Sequence, residues 1–97
     1  MQRVIVMDEA DNVATAIDEL HPGEGIAWPG AGDRMVEVTE EIPFGHKIAL
    51  TALAEGSAVI KYGEVVGTVT EAIASGAHVH VHNVASNRVN ARERLDE

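Results

Sequence analysis

The chain has 97 residues, no cysteine and a formal net charge of −9, from 16 acidic and seven basic residues. This length indicates one domain, the lack of cysteine excludes disulfides and thiolate metal sites, and the acidic balance argues against a nucleic-acid partner. No apolar run is long enough to cross a bilayer and the first residues lack a signal-peptide pattern, so we expect a soluble, cytoplasmic protein without a membrane contact.

The first twenty residues predict a strand followed by a helix. Residues 2–7 are rich in valine and isoleucine, which favours a strand. Asp11 is a plausible helix N-cap, and the apolar residues after it recur at helical spacing as far as Leu20. These apolar residues are Val13, Ala16, Ile17 and Leu20. The proline and glycine at positions 22 and 23 would end the helix.

The middle of the chain predicts short strands separated by turns. Residues 25–28 and residues 34–40 fit strands, and the second of them alternates valine with polar residues. Residues 41–47 predict a tight turn that carries His46 and Lys47. The pattern leaves open whether these two side chains are functional or are solvated residues of a hairpin turn.

A weak internal repeat follows. Residues 51–59 resemble residues 71–79, because each copy has alanines around a branched apolar residue, then a glycine and a valine that begins a strand. We expect each copy to be one short helical turn, and the two copies to form pseudo-symmetric halves of a compact β structure. Between them, residues 59–69 predict a hairpin that turns at Gly63-Glu64.

A stretch near the end of the chain alternates histidine with valine. Alternation at period two is typical of a strand with two unlike faces. His78, His80 and His82 would then lie on one face, while Val79 and Val81 point into a core. A row of imidazoles can bind a metal, transfer protons or hold an anionic ligand. Together these elements predict a mostly β (α+β) fold with one helix near the start.

Four motifs, in this order along the chain, resemble one family. The motifs are Asp11-Asn12-Val13-Ala14, Ile42-Pro43-Phe44-Gly45-His46-Lys47-Ile48-Ala49-Leu50, Lys61-Tyr62-Gly63 and His78-Val79-His80-Val81-His82-Asn83. They resemble the SAF domain of the altronate/galactarate dehydratase family, which also includes the small subunit of sulfolactate sulfo-lyase. The resemblance implies a β-clip fold, and we expect residues 1–85 to form the SAF domain and residues 86–97 a polar tail.

The resemblance implies a function in β-elimination on a sugar acid. A base removes the proton next to a carboxylate, water leaves from the next carbon, and a 2-keto-3-deoxy acid results. The family's catalytic body is much larger than this chain, so the resemblance implies a large-subunit partner. It also implies iron(II) or manganese(II), held mainly by or with that subunit. Self-association of the chain remains possible, and in the sulfo-lyase branch the leaving group would be sulfite.

The resemblance also assigns roles to individual side chains. His80 and His82 would bind the metal or act as acid and base, and His46 would share in catalysis. The remaining residues would bind the substrate carboxylate or hydroxyls: Lys47, Lys61, Tyr62 and Asn83.

Other interpretations of the same residues stay open. His78 could be only the outermost histidine of the row, Tyr62 could pack in a hairpin turn, and Asn83 could cap a turn. The whole chain could also be a sugar-binding or interaction module without chemistry of its own.

Overall fold

The computed structural model describes residues 3–86 and places them in short antiparallel strands. The strands are β1 (Val4–Ile5), β2 (Val13–Ala16), β3 (Gly25–Ile26), β4 (Val36–Glu37), β5 (Lys47–Ala49), β6 (Ala58–Lys61), β7 (Glu64–Val69), β8 (His78–Val79) and β9 (Val84–Ser86). They form a four-stranded sheet in the order β1-β2-β5-β8, a pair β3-β4, and a three-stranded sheet β6-β7-β9. The expected tail, residues 86–97, lies outside the described residues from position 87 onward.

The predicted helix between Asp11 and Leu20 is wrong, and residues 3–86 contain no helix at all. The segment instead forms β2, which pairs with β1 on one side and β5 on the other. Val13, Ala14 and Ala16 are all buried, so this central strand buries both of its faces. A strand buried on both faces shows no alternation, and its apolar residues can fall at helical spacing by coincidence. The described domain is therefore all-β, and it contains no helix that could span a membrane.

Four tight turns of one kind shape the domain, and we call them clip turns. Each has an apolar residue, a glycine three positions later and a second apolar residue three positions after that. They are Leu20–Gly23–Ile26, Ile42–Gly45–Ile48, Leu53–Gly56–Val59 and Ile73–Gly76–Val79. The four glycines have φ values of 92°, 84°, 88° and 85°. This is the conformation that the third position of a type II turn requires, and glycine adopts it without a steric cost.

The clip turns pair with each other two by two. An isolated antiparallel bridge joins Leu20 to Ile42, and another joins Leu53 to Ile73. In each pair, the N–H of each glycine donates to the carbonyl four positions before the bridging residue of the other copy. Each pair therefore has approximate twofold symmetry. The two copies of the predicted repeat are confirmed as symmetric partners, but each copy is a tight turn and not a helical turn.

Two apolar cores lie on opposite faces of the central strands. The first contains Ala14, Ile48, Leu20 and Trp28, and the second contains Val13, Ala49, Val59 and Val69. Neighbouring residues of β2 and β5 thus enter different cores, as the period of a strand requires. The second core is bounded by the three-stranded sheet and the last two clip turns, and it supports the candidate functional site.

Asp11 and Asn12 tie the first sheet to the hairpin β6–β7. The Asn12 side chain accepts a hydrogen bond from Ile60 N–H at 2.8 Å and donates to the carbonyl of Ala58 at 2.9 Å. The buried Asp11 carboxylate accepts from Gly63 N–H at 2.8 Å. The prediction of Asp11 as a helix N-cap is therefore wrong. Its carboxylate accepts hydrogen bonds from the distant Gly63 N–H and from the N–H groups of Met7 and Asp8, which precede it in the chain.

Candidate functional site

His46 and His78 lie side by side because the second clip turn leads into β5, and β5 pairs with β8. His46 follows Gly45 in the second clip turn, directly before β5, and His78 begins β8. The β5–β8 register places Ile48 opposite His78, which brings the two side chains to the same edge. His46 Nδ1 lies 2.8 Å from His78 Nε2, and the rings stack with centroids 5.0 Å apart. One nitrogen of this pair donates a proton and the other accepts it.

His80 joins this pair because the chain turns back after Val79. The predicted strand through residue 83 is wrong beyond Val79, since Asn83 folds the segment into a turn. The Asn83 side chain accepts from His80 N–H at 2.9 Å and donates to the His78 carbonyl at 2.9 Å. The His80 ring stacks on His46 with centroids 4.1 Å apart and planes 23° apart. The prediction that Val81 enters the core is also wrong, because its side chain is 81% exposed.

His82 lies at the outside of the cluster. Its side chain is exposed, and its ring is 5.3 Å from His78 at an angle of 42°. Within residues 3–86, one set of three potential ligands converges, with ligand atoms within 4.8 Å of one another: His46, His78 and His80. The structure therefore brings His78 into the centre of the cluster and leaves His82 at its rim, the reverse of the order expected from the sequence.

The environment of the cluster favours the neutral form of His78 and His80. Burial, and then the neighbouring His46 and His80 rings, lower the pKa of His78 below its usual range. Burial, with His46 and Lys47 nearby, lowers the pKa of His80 in the same direction. A neutral imidazole keeps the lone pair that accepts a proton or binds a metal.

A cavity of about 390 Å³ opens beside the histidines and contains both lysines of the chain. Lys47 comes from β5 and Lys61 from the end of β6, and the cavity also touches Tyr62 and His80. Valine side chains line the rest of it: Val59, Val66, Val79, Val81 and Val84. Two ammonium groups over an apolar wall are suited to bind an anion that also has a carbon skeleton.

The positive charges of the two lysines repel each other in this cavity. Burial, and then the charge of Lys61, lower the pKa of Lys47. The Lys61 Nζ lies 4.7 Å from the centroid of the Tyr62 ring, a cation–π contact. The hairpin turns at Tyr62-Gly63, with φ values of 57° and 75°, one residue earlier than predicted. This turn aims the Tyr62 and Lys61 side chains at the cavity, so the turn and the site are built from the same residues.

The structure thus brings most of the predicted site residues to one cavity, whereas the Asn83 side chain binds the backbone of His78 and His80. The cavity holds Lys47, Lys61, Tyr62 and His80, and His46 reaches it through its ring contact with His80. Asn83 is buried and caps the turn after β8, which was the alternative interpretation of this residue. Its role in substrate binding stays a prediction. His78 has no role among the residues that the family resemblance implied, although it begins the row of alternating histidines.

Comparison with known proteins identifies relatives along nearly the whole chain. The family described as the altronate/galactarate dehydratase SAF domain matches residues 2–87. Altronate dehydratase of Bacillus subtilis is 36% identical over 87 residues, which are 90% of this chain and 17% of that protein. Galactarate dehydratase (L-threo-forming) of Escherichia coli is 33% identical over 75 residues, 77% of this chain and 14% of that protein.

A second group of relatives has a size close to that of this chain. The (2R)-sulfolactate sulfo-lyase subunit alpha of Chromohalobacter salexigens is 41% identical over 88 residues, which cover 87% of this chain and 94% of that subunit. The chain therefore spans less than a fifth of the dehydratases that it matches, but nearly all of this subunit.

Proposed function

The chain belongs to the altronate/galactarate dehydratase SAF-domain family, and from this premise we propose that it completes the active site of a sugar-acid hydro-lyase together with a larger catalytic chain or region. The observation that carries this proposal is the gathering of both lysines and His80 around one cavity in a chain of net charge −9. The lysines are the cations that an acidic substrate would need, and the acidic chain places both of them at the same site.

The proposed reaction is the elimination of water from an aldonic or aldaric acid. Removal of the proton next to a carboxylate leaves an enediolate, and its negative charge must be stabilised for the reaction to proceed. Loss of the hydroxyl from the next carbon as water, followed by tautomerisation of the enol, gives the 2-keto-3-deoxy acid. Lys47 and Lys61 would hold the carboxylate, and the neutral His80 would accept or return a proton at its ring nitrogen.

The remaining predicted residues have supporting roles in this proposal. The Tyr62 hydroxyl and the Asn83 amide would contact substrate hydroxyls, and His46 would fix the His80 ring through their stacking contact. His82, exposed at the rim, would exchange protons with solvent. An iron(II) or manganese(II) ion, bound mainly by or with the large subunit, would supply Lewis-acid stabilisation of the enediolate.

The surface around the cavity supports a large-subunit partner. Three apolar residues that line the cavity are exposed: Tyr62, Val66 and Val81. Contiguous exposed apolar groups beside a cavity are typical of protein interfaces. A relative of similar size is named as the alpha subunit of a lyase. A larger chain that docks on these residues would cover the cavity and exclude water from the lysines.

The second candidate function is that of a sulfolactate sulfo-lyase subunit, in which sulfite leaves instead of water. The observation that favours it is the 94% coverage of the Chromohalobacter salexigens subunit at 41% identity. Both functions need the same anion site, because both substrates carry a carboxylate next to the proton that is removed.

The test is to co-express the chain with its large catalytic partner and to assay altronate, galactarate and (2R)-sulfolactate. Formation of a keto acid shows that elimination has occurred. Release of sulfite distinguishes sulfo-lyase activity from dehydratase activity. We expect activity to need both components and Lys61→Met to lower kcat/KM by roughly a hundredfold, as loss of a charge-stabilising group does. Arg34→Met, which removes a cation outside the cavity, is the control. Because Arg34 contacts the Leu50 carbonyl and the Trp28 ring, the free energy of unfolding of both variants is compared as well. Equal turnover without this chain would contradict the proposal and favour a binding module without chemistry.

A further inference from the structure

We propose that His46, His78 and His80 bind one divalent first-row transition-metal ion on this chain itself. This inference rests on the proposed function only in the choice of site, because a metal-bound His80 would be a ligand and could not also accept the substrate proton. It concerns metal binding by the isolated chain and can fail or succeed independently of lyase activity. It also differs from the expectation based on the sequence, in which His80 and His82 were the ligands.

The distances between the ligand atoms support a common ion. The ligand atoms of the three side chains lie within 4.8 Å of one another, and two of them are 2.8 Å apart. Two nitrogens on the same zinc-sized ion are at most about 4.2 Å apart, twice a metal–nitrogen bond of about 2.1 Å. Binding would break the His46–His78 hydrogen bond and turn the stacked rings, so that one ring nitrogen of each histidine points at the ion.

The backbone at the three positions is already fixed. His46 N–H donates to the Pro43 carbonyl in the second clip turn, and His78 lies in the β5–β8 ladder. His80 N–H donates to the Asn83 side chain. A site whose backbone is ordered before binding loses little entropy when the ion arrives.

The donor set indicates the class of metal. All three ligands are imidazoles, which suit zinc, iron, nickel and copper, whereas magnesium and calcium prefer oxygen ligands. Three protein ligands leave a fourth position for water or substrate, as in catalytic metal sites and unlike closed structural ones. Because His80 also lines the cavity with the lysines, the ion would lie at the edge of the anion site.

The experiment titrates the full 97-residue chain, purified free of metal, with Co²⁺ and with Zn²⁺. We expect one ion per chain by calorimetry, and visible absorption bands of Co²⁺ that report nitrogen ligands in a low-symmetry site. In the wild-type protein labelled with ¹⁵N at histidine, Zn²⁺ should shift the ring nitrogen signals of His46, His78 and His80 most strongly. This observation needs no variant, so it stands even where a substitution impairs folding.

The variants distinguish this site from other histidine arrangements. His46→Ala, His78→Ala and His80→Ala should each weaken binding by more than about tenfold, the loss that follows even when a group that only contacts a metal ligand is changed. His21→Ala is the matched control, because His21 pairs with Glu41 at 2.8 Å and takes no part in the cluster. Absence of stoichiometric binding, or binding that depends on His82 and not on His46, would overturn the proposal. Lyase activity of the complex plays no part in these readouts.

Discussion

The carboxylate of Asp11 accepts a hydrogen bond of 2.8 Å from the backbone N–H of Gly63, and this contact links positions 52 residues apart. The same carboxylate also accepts hydrogen bonds of 3.2 Å from the N–H groups of Met7 and Asp8. The contact fixes the hairpin turn that carries Lys61 and Tyr62 against the central sheet. The position of one wall of the cavity therefore depends on a residue that does not touch the cavity.

Asp11→Asn should destabilise the domain by about 2–3 kcal/mol, because a buried acceptor of several N–H groups is replaced by an amide with one acceptor oxygen. Urea denaturation at pH 7 measures the change. Asp33→Asn, at an exposed loop position, is the control and should change the free energy of unfolding by less than about 0.5 kcal/mol. Equal effects of the two substitutions would show that the Asp11 contacts contribute nothing specific.

The stability contributed by Asp11 should also depend on pH. Burial acts to raise the pKa of this carboxyl, but hydrogen bonds from backbone N–H groups of Gly63, Tyr62, Met7 and Asp8 outweigh it and lower the pKa. A lowered pKa stabilises the fold above the unfolded value of about 3.9, and the contribution is lost as the pH falls through the lower folded value. The difference in the free energy of unfolding between wild type and Asp11→Asn should therefore become smaller as the pH falls from 5 to 2. Urea denaturation at each pH measures this difference. A constant difference would contradict the assignment.

The clip-turn glycines should differ in their tolerance of a side chain. All have positive φ, so alanine costs about 1–2 kcal/mol at any of them. At Gly56 a Cβ would meet open space, whereas at Gly76 it would overlap the backbone carbonyl of Glu37. Gly76→Ala should therefore lose several kcal/mol or fail to fold, while Gly56→Ala stays folded. Thermal unfolding by circular dichroism compares them, and equal melting temperatures would refute the close approach at Gly76.

The sequence predicted the positions of the turns better than it predicted the elements between them, and four of the nine cavity-lining residues were among the predicted site residues: Lys47, Lys61, Tyr62 and His80. Each clip turn has a local sequence pattern, a glycine with an apolar residue three positions before it and another three positions after it. The repeat in residues 51–59 and 71–79 was recognised because these two copies also share alanines. The helix was wrong because β2 is buried on both faces. The strand after Val79 was wrong because one side chain, Asn83, turns the backbone despite perfect alternation.

Contacts between distant residues could not be predicted from periodicity. His46 and His78 are 32 positions apart, and Asn12 reaches residues 46 and 48 positions away. Such contacts depend on which strands pair and in which register, and no local pattern determines that. The four motifs of the family resemblance contain the residues that meet, but the resemblance did not predict the contacts between them: Asp11 and Asn12 with the hairpin β6–β7, and His46 with His78.

The two lysines should show their proximity in solution. Lys61→Met removes a positive charge near Lys47 and should raise the Lys47 pKa, which nevertheless stays below its usual range because burial is the larger cause. Titration of the lysine side chains by ¹³C NMR measures this directly, and assignment is simple because the chain has two lysines. The same repulsion predicts that Lys47→Met keeps or raises the melting temperature while it weakens substrate binding. An unchanged Lys47 pKa in Lys61→Met would show that the two ammonium groups do not share the cavity.

The exposed apolar rim of the cavity should matter to the partner and not to the fold. Val81 is 81% exposed, so Val81→Asp removes little buried surface and should change the free energy of unfolding by less than about 0.5 kcal/mol. At a docked interface the same change buries a charge without a counter-ion, and we expect the Kd for the proposed large subunit to rise at least about tenfold.

Met35→Asp is the matched control for this substitution, because Met35 is 70% exposed and does not line the cavity. It should leave the affinity unchanged, and calorimetric titration of the two variants into the large subunit compares them. If both variants bind as tightly as wild type, the large subunit docks elsewhere and the cavity stays open to solvent. If both lose affinity equally, the effect is one of added negative charge on an acidic chain, and the rim around Val81 has no special part in docking.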